Sequence, residues 1–275
     1  MTFPPFLNQS EPFLIGLMLY LIMVVALSYG KLSRYERVLS TYRELYENHV
    51  FNYVKGLEVT SEIIILSKEL EEHYKSKTRN ANSYHSPLME AIWVFFKSQR
   101  HIIEVSNRLF KMEINDSLFN FVDETSLNKI QFGKMVLDTS SERDTQKIKE
   151  TFSEALKHIN PLLPELEAAL KKVSEAKDQD LVSVLGGGLN LLKAKISFFN
   201  SLVALLEKKF EKAVQELEES IQCMENAIRH INMNLDTRGE VENAKRTEAY
   251  LKLLIKNYKT SISILKKHIS HKTQG

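Results

Sequence analysis

Apolar residues return every three or four positions along most of this chain, with charged residues between them. From Leu32 the stripe passes through Tyr35, Leu39, Tyr42, Tyr46, Leu57 and Leu70 to Tyr74, which is the spacing of one helix face. No proline interrupts 31–75, and Gly56 alone costs only about 1 kcal/mol relative to alanine. One long helix is expected there. The following stretch, SKTRNANSYHS over 76–86, has no apolar repeat and reads as a polar linker. It ends in Ser-Pro, where Ser86 can cap a helix whose first residue is Pro87.

The next stripe, over 87–113, carries Leu88, Ile92, Phe95, Ile102 and Leu109. Within it the block Ile92, Trp93, Phe95 and Phe96 is apolar on more than one face, so something must cover it. The chain's own body, a protein partner or second copy, and a membrane surface are the three covers considered. Over 114–139 the short runs Leu118–Val122 and Ile130–Leu137 predict two short helices between turn signals. From Ser140 helix spacing resumes at Ile148, Phe152, Ala155 and Ile159, and the prolines at 161 and 164 predict a break near residue 160.

The longest stripe starts at Leu189 and runs through Phe199, Val203, Leu206, Phe210, Ala213, Leu217, Ile221, Met224 and Ile228 to Leu235. Read as one helix it would span about 70 Å. Asp236-Thr-Arg-Gly239 supplies turn chemistry, and a second stripe follows through Leu251, Leu254, Tyr258, Ile262, Leu265 and Ile269. An antiparallel hairpin of 189–235 with 240–270 is expected, in a register that sets Glu219 near Lys256 and Glu216 near Lys259.

The pattern changes most at the start. Phe13 to Tyr29, FLIGLMLYLIMVVALSY, holds no charge, and at ~1.5 Å per residue it covers roughly 25 Å, enough to cross a bilayer once its flanks snorkel. Phe13, Leu17, Leu21, Val25 and Tyr29 sample the expected span. No Lys or Arg stands among the first thirty residues, whereas Lys31, Arg34 and Arg37 follow it. That asymmetry predicts an uncleaved anchor with its N-terminus outside and the body cytoplasmic. The rival readings are a secretory signal cleaved after Ala26-Leu27-Ser28 and a buried helix of a soluble protein.

The fold class expected is therefore all-α: an N-terminal single transmembrane helix continuing into an elongated antiparallel helical bundle with coiled-coil-like hairpins. Its parts are a short N-terminal segment (1–12), the transmembrane helix (13–30), a membrane-proximal long helix (31–75), the linker (76–86), a helical segment (87–139) and a helical bundle (140–275).

Composition agrees with helices. Six prolines and nine glycines are few in 275 residues, and 43 % of residues are hydrophobic. Thirty-seven basic side chains nearly cancel 35 acidic ones, so no global field draws a polyanion. A local one exists at the C-terminal end. From Ala249 onward there is no acidic residue, while Lys252, Lys256, Lys259, Lys266, Lys267 and Lys272 accumulate. Pairing with the Glu-rich face of 207–225, contact with an anionic leaflet, an acidic protein and a nucleic acid are the readings in competition. Lys256, Lys259, Lys266 and Lys267 are the candidates for an anionic-surface contact. Cys223 is the one thiol, which excludes an intramolecular disulfide and favours a reducing compartment.

No motif specifies a reaction. Gly186-Gly187-Gly188 lacks the spacing and the preceding strand of a phosphate loop and reads as a turn or a close helix crossing. His101-x-x-Glu104, Glu154-x-x-x-His158 and His268-x-x-His271 read as helix-surface pairs. No catalytic residue, cofactor, metal, small-molecule substrate or nucleic acid is expected. The partners expected are the membrane and a protein partner or second copy, met through helices. The function expected is a single-pass membrane-anchored scaffold or signalling and assembly interaction protein. A membrane-active effector or toxin component and a secreted or periplasmic helical binding protein are the alternatives.

Overall fold

A computed structural model describes residues 61–80, 86–122, 127–238 and 241–273. The expected span at 13–30, its sampled residues Phe13 to Tyr29, the basic flank Lys31, Arg34 and Arg37, and the rest of 31–60 lie outside the described residues.

Among the described residues seven helices and three strands follow in order: α1 (Ser61–Asn80), α2 (Ser86–Lys111), β1 (Ile114–Phe121), β2 (Lys129–Gly133), β3 (Met135–Asp138), α3 (Glu142–Ile159), α4 (Leu162–Glu175), α5 (Gln179–Leu206), α6 (Phe210–Arg238) and α7 (Val241–Thr273). The described chain is mostly helical, as its periodicity predicts, but it is not all-α. The stretch expected to form two short helices is instead a small antiparallel sheet of order β1-β2-β3.

The sheet follows a period of two. Phe119 and Phe121 on β1, Ile130 and Phe132 on β2, and Leu137 on β3 are buried, whereas Asn120 and Val136 face out. Phe119 stands opposite Phe132, Phe121 opposite Ile130, and Ile130 opposite Leu137. Gly133 and Lys134 form the two-residue connection between β2 and β3, and Gly133 has φ of 68°, a value only glycine adopts at no steric cost.

Helix α5 is the centre. It packs on α6 along its length and also touches α2, α3 and α4, while α1 pairs with α2 and α7 lies on α6. An aromatic seam joins the sheet to the helices, running through Phe119, Phe132, Phe152, Phe199 and Phe198 to Tyr258 with neighbouring centroids 4.8 to 6.1 Å apart. Two glycines let α5 sit this deep. A Cβ on Gly186 would come within 2.7 Å of the His230 ring on α6, and one on Gly188 within 2.9 Å of Phe95 on α2. The close crossing is the outcome of the two readings of the triple glycine.

Helix ends explain the remaining departures. Residues 76–80, expected in the linker, are the last turn of α1. The break near residue 160 falls where the prolines put it, between Ile159 and Leu162. The stripe expected as one helix over 189–235 is two antiparallel helices, divided at Glu207-Lys208-Lys209. Lys208 takes a left-handed φ of 59°, its amide donates to Leu205 O, and that of Lys209 donates to Ala204 O, both at 2.9 Å. These two bonds are a Schellman cap, which satisfies carbonyls the ending helix leaves open.

Candidate functional site

The apolar block at residues 92–96 is covered by the chain itself. Ile92, Phe95 and Phe96 are at most 1 % exposed, and Phe96 stacks on Tyr74 of α1 at 5.2 Å. Of the three covers considered, the chain's own body supplies that of Ile92, Phe95 and Phe96, and Trp93 is left partly exposed. That ring is half-buried, with Lys75 Nζ 5.7 Å and Lys97 Nζ 5.9 Å from its centroid. Lys97 is itself held by Glu165 of α4 at 2.7 Å. Both ammonium groups lie within cation–π range of the ring, one from α1 and one from α2.

Along the same α1/α2 seam lies a charged cluster. Arg100 Nε meets Glu71 Oε2 at 2.5 Å across the helix pair, and Nη1 meets Glu104 Oε1 at 2.8 Å. Burial opposes the guanidinium charge, but the hydrogen bonds to Glu71 and Glu104 outweigh it and hold the group above its ordinary range. Arg100 Nη2 also donates to His101 Nε2 at 3.2 Å. That places the neutral ring's proton on Nδ1, which is buried without a hydrogen-bond partner and lies 3.9 Å from Glu104 Oε2. Burial, then the neighbouring Arg100, lowers the His101 pKa. Arg108 donates to His158 Nε2 of α3 at 2.8 Å, and the two imidazole centroids are 6.5 Å apart. Sequence spacing paired His101 with Glu104 but did not bring His158 to it, because that approach depends on how α3 crosses α2. Among the described residues no three His, Cys, Asp or Glu side chains converge on a metal-holding geometry.

The α7 lysines divide into two flanks. Lys259 reaches Glu225 at 3.5 Å and Lys266 reaches Glu218 at 2.8 Å, so both face α6. The hairpin register therefore differs from the expected pairing of Glu219 with Lys256 and Glu216 with Lys259. Lys256 and Lys267 point outward and make no ion pair among the described residues, and Lys252 meets only Glu248 of its own helix at 2.5 Å. An open groove on this side, about 560 Å³, is lined by Lys252, Ile255, Lys256, Lys259, Thr260 and Ser263. Leu253 is 54 % exposed beside it. The four lysines proposed from sequence as one patch are thus two that brace a helix pair and two that are free.

A second cleft of about 230 Å³ lies where the sheet, the α5/α6 break and the end of α7 meet. Phe121, Ile130, Leu205, Lys208 and His268 are among the residues that line it. Helix α5 itself is long and apolar enough over Leu181–Leu206 to cross a membrane, and 61 % of its most apolar window is buried inside the fold. A core helix of a soluble body meets the same criterion. No family model, curated protein or solved structure matches the chain.

Proposed function

We propose that the chain is a single-pass membrane-anchored helical scaffold, held by the span read at Phe13 to Tyr29 with its body in the cytoplasm. Helix α7 is its contact surface for an anionic partner. The observation that carries this reading is the outward flank of α7, where Lys256 and Lys267 stand free while the lysines one helical phase away are engaged. A helix pair that needed lysines only for internal bracing would place them toward α6. The elongated bundle and coiled-coil-like self-association through the 31–75 helix belong to the same proposal.

The test is extraction of the full chain from membranes. Retention through alkaline carbonate and high salt is expected, and removal of residues 1–30 is expected to yield a soluble, strongly helical body. Release of the full chain by carbonate sinks the anchor. A mature chain beginning at Tyr29 would instead assign it to the secreted class.

A membrane-active effector is the second reading, and the apolarity of α5 favours it. In that case the body opens and α5 enters lipid. Leakage of dye-loaded vesicles on adding the chain supports this reading, and intact vesicles count against it.

A further inference from the structure

We propose that the outward flank of α7 binds the anionic headgroups of a membrane leaflet. Lys256 and Lys267 meet phosphate and carboxylate groups there, and Leu253 enters the interfacial layer. The proposal rests on the anchored reading above and names the partner of the same surface.

Four features point to lipid. The flank carries no acidic residue from Ala249 onward, so nothing on it repels an anionic surface. The exposed positions Lys252, Lys256, Thr260, Ser263 and Lys267 recur at three or four residues and form one straight ridge. From Lys252 to Lys267 that ridge is about 23 Å long, the shape of a surface contact rather than a pocket. The exposed Leu253 stands about 60° around the helix from Lys256, and an apolar side chain beside lysines is the composition of an interfacial helix face. An anchor delivers this flank to a leaflet at high effective concentration.

Single-stranded nucleic acid is a poorer match. Base stacking needs exposed aromatic rings, and Tyr258 is buried, stacked on Phe198 at 4.8 Å. Lys252, Lys259 and Lys266 are not part of the contact, because Glu248, Glu225 and Glu218 hold them.

The experiment uses the full chain with Cys223→Ala and Ser263→Cys, carrying an environment-sensitive fluorophore at residue 263. It is reconstituted in phosphatidylcholine vesicles with and without phosphatidylserine, and flotation is measured on the same samples. Expected are flotation with both vesicle types, a blue shift of emission only with phosphatidylserine, and loss of that shift on raising salt. Lys256→Glu with Lys267→Glu should abolish the shift and leave flotation and the helical circular dichroism unchanged. Flotation with both vesicle types but equal emission overturns the lipid proposal and leaves the anchor standing. A shift with soluble polyglutamate and none with anionic vesicles assigns the flank to an acidic protein and also overturns it. Failure to float with neutral vesicles overturns the anchored reading itself.

Discussion

Gly188→Ala tests how tightly α5 is held, because two opposing effects of similar size meet at one atom. In a helix interior the change from glycine to alanine stabilises by about 1 kcal/mol. Here the added Cβ would lie 2.9 Å from Phe95 Cε2 and 3.3 Å from Cδ2. Phe95 cannot swing away, since it is fully buried and packs edge-on against Phe96 at 5.8 Å. Overpacking of this kind costs roughly 1–3 kcal/mol, so the net effect of Gly188→Ala is a loss of about 1 kcal/mol.

The two effects separate in a double-mutant cycle. Phe95→Leu removes the clashing ring edge at its own cost of about 1–2 kcal/mol. In that background Gly188→Ala should express only its helix propensity and raise stability by up to about 1 kcal/mol. A coupling of roughly 2 kcal/mol follows, within the range seen for residues in contact. Thermal unfolding of the detergent-solubilised full chain, followed by circular dichroism and by Trp93 fluorescence, reads each kilocalorie as about 2–4 °C. If Gly188→Ala raises the midpoint equally in both backgrounds, α5 and α2 do not approach at this glycine and the packing argument fails.

Acidification should destabilise the fold. Burial lowers the pKa values of His73, His101 and His230 below 6.5, so the unfolded chain takes up their protons first. Stability is complete above 6.5 and falls as pH drops through the lowered folded values. His101→Asn should flatten part of that fall, despite Glu71, Glu104, Arg100 and Lys97 around the ring, and an unchanged midpoint between pH 7 and 5 refutes the assignment. Glu71→Ala should cost about 1–3 kcal/mol in the same unfolding assay, because it strips one partner from the half-buried Arg100 guanidinium. Lys208→Gly should stabilise by about 1 kcal/mol by relieving a left-handed non-glycine residue, and a lower midpoint would show that the cap is not as described. Glu218→Gln with Glu225→Gln should cost less than about 1 kcal/mol per pair, as expected of exposed ion pairs.

Helix existence was legible because the apolar period of 3.6 is sustained over many turns, whereas helix ends were not. Left-handed residues follow the ends of α2, α4 and α5, and they are Glu113, Lys177 and Lys208. In each case the amide of that residue donates to the carbonyl three positions back, at 2.8 to 3.1 Å. Glycine at such a position would have announced the stop. With lysine at 208 the apolar stripe continues in phase across the break, and one helix of 47 residues is the natural misreading. The sheet was missed for a related reason. Phe119 and Phe121, and Ile130 and Phe132, alternate in pairs too short to outweigh a helical prior, although Gly133 between two such runs was a usable hairpin signal.

The basic end of the chain shows what a charge run conceals. Lys259 and Lys266 are seven residues apart, and so are their partners Glu225 and Glu218. Equal spacing on antiparallel helices is what allows both pairs to close at one register, since advancing seven residues along α7 retreats seven along α6. Lys256 and Lys267 are eleven apart, three turns on a different phase of the same helix. A rotation of the helix that brought them to the acidic stripe would carry the engaged pair away from it and turn the buried Leu251, Ile255 and Tyr258 out of the core. Burial of that apolar stripe therefore decides which lysines face α6 and which face outward. The free cations on α7 follow from the phase between its apolar stripe and its lysines, and the segment's net charge could not have distinguished the two sets.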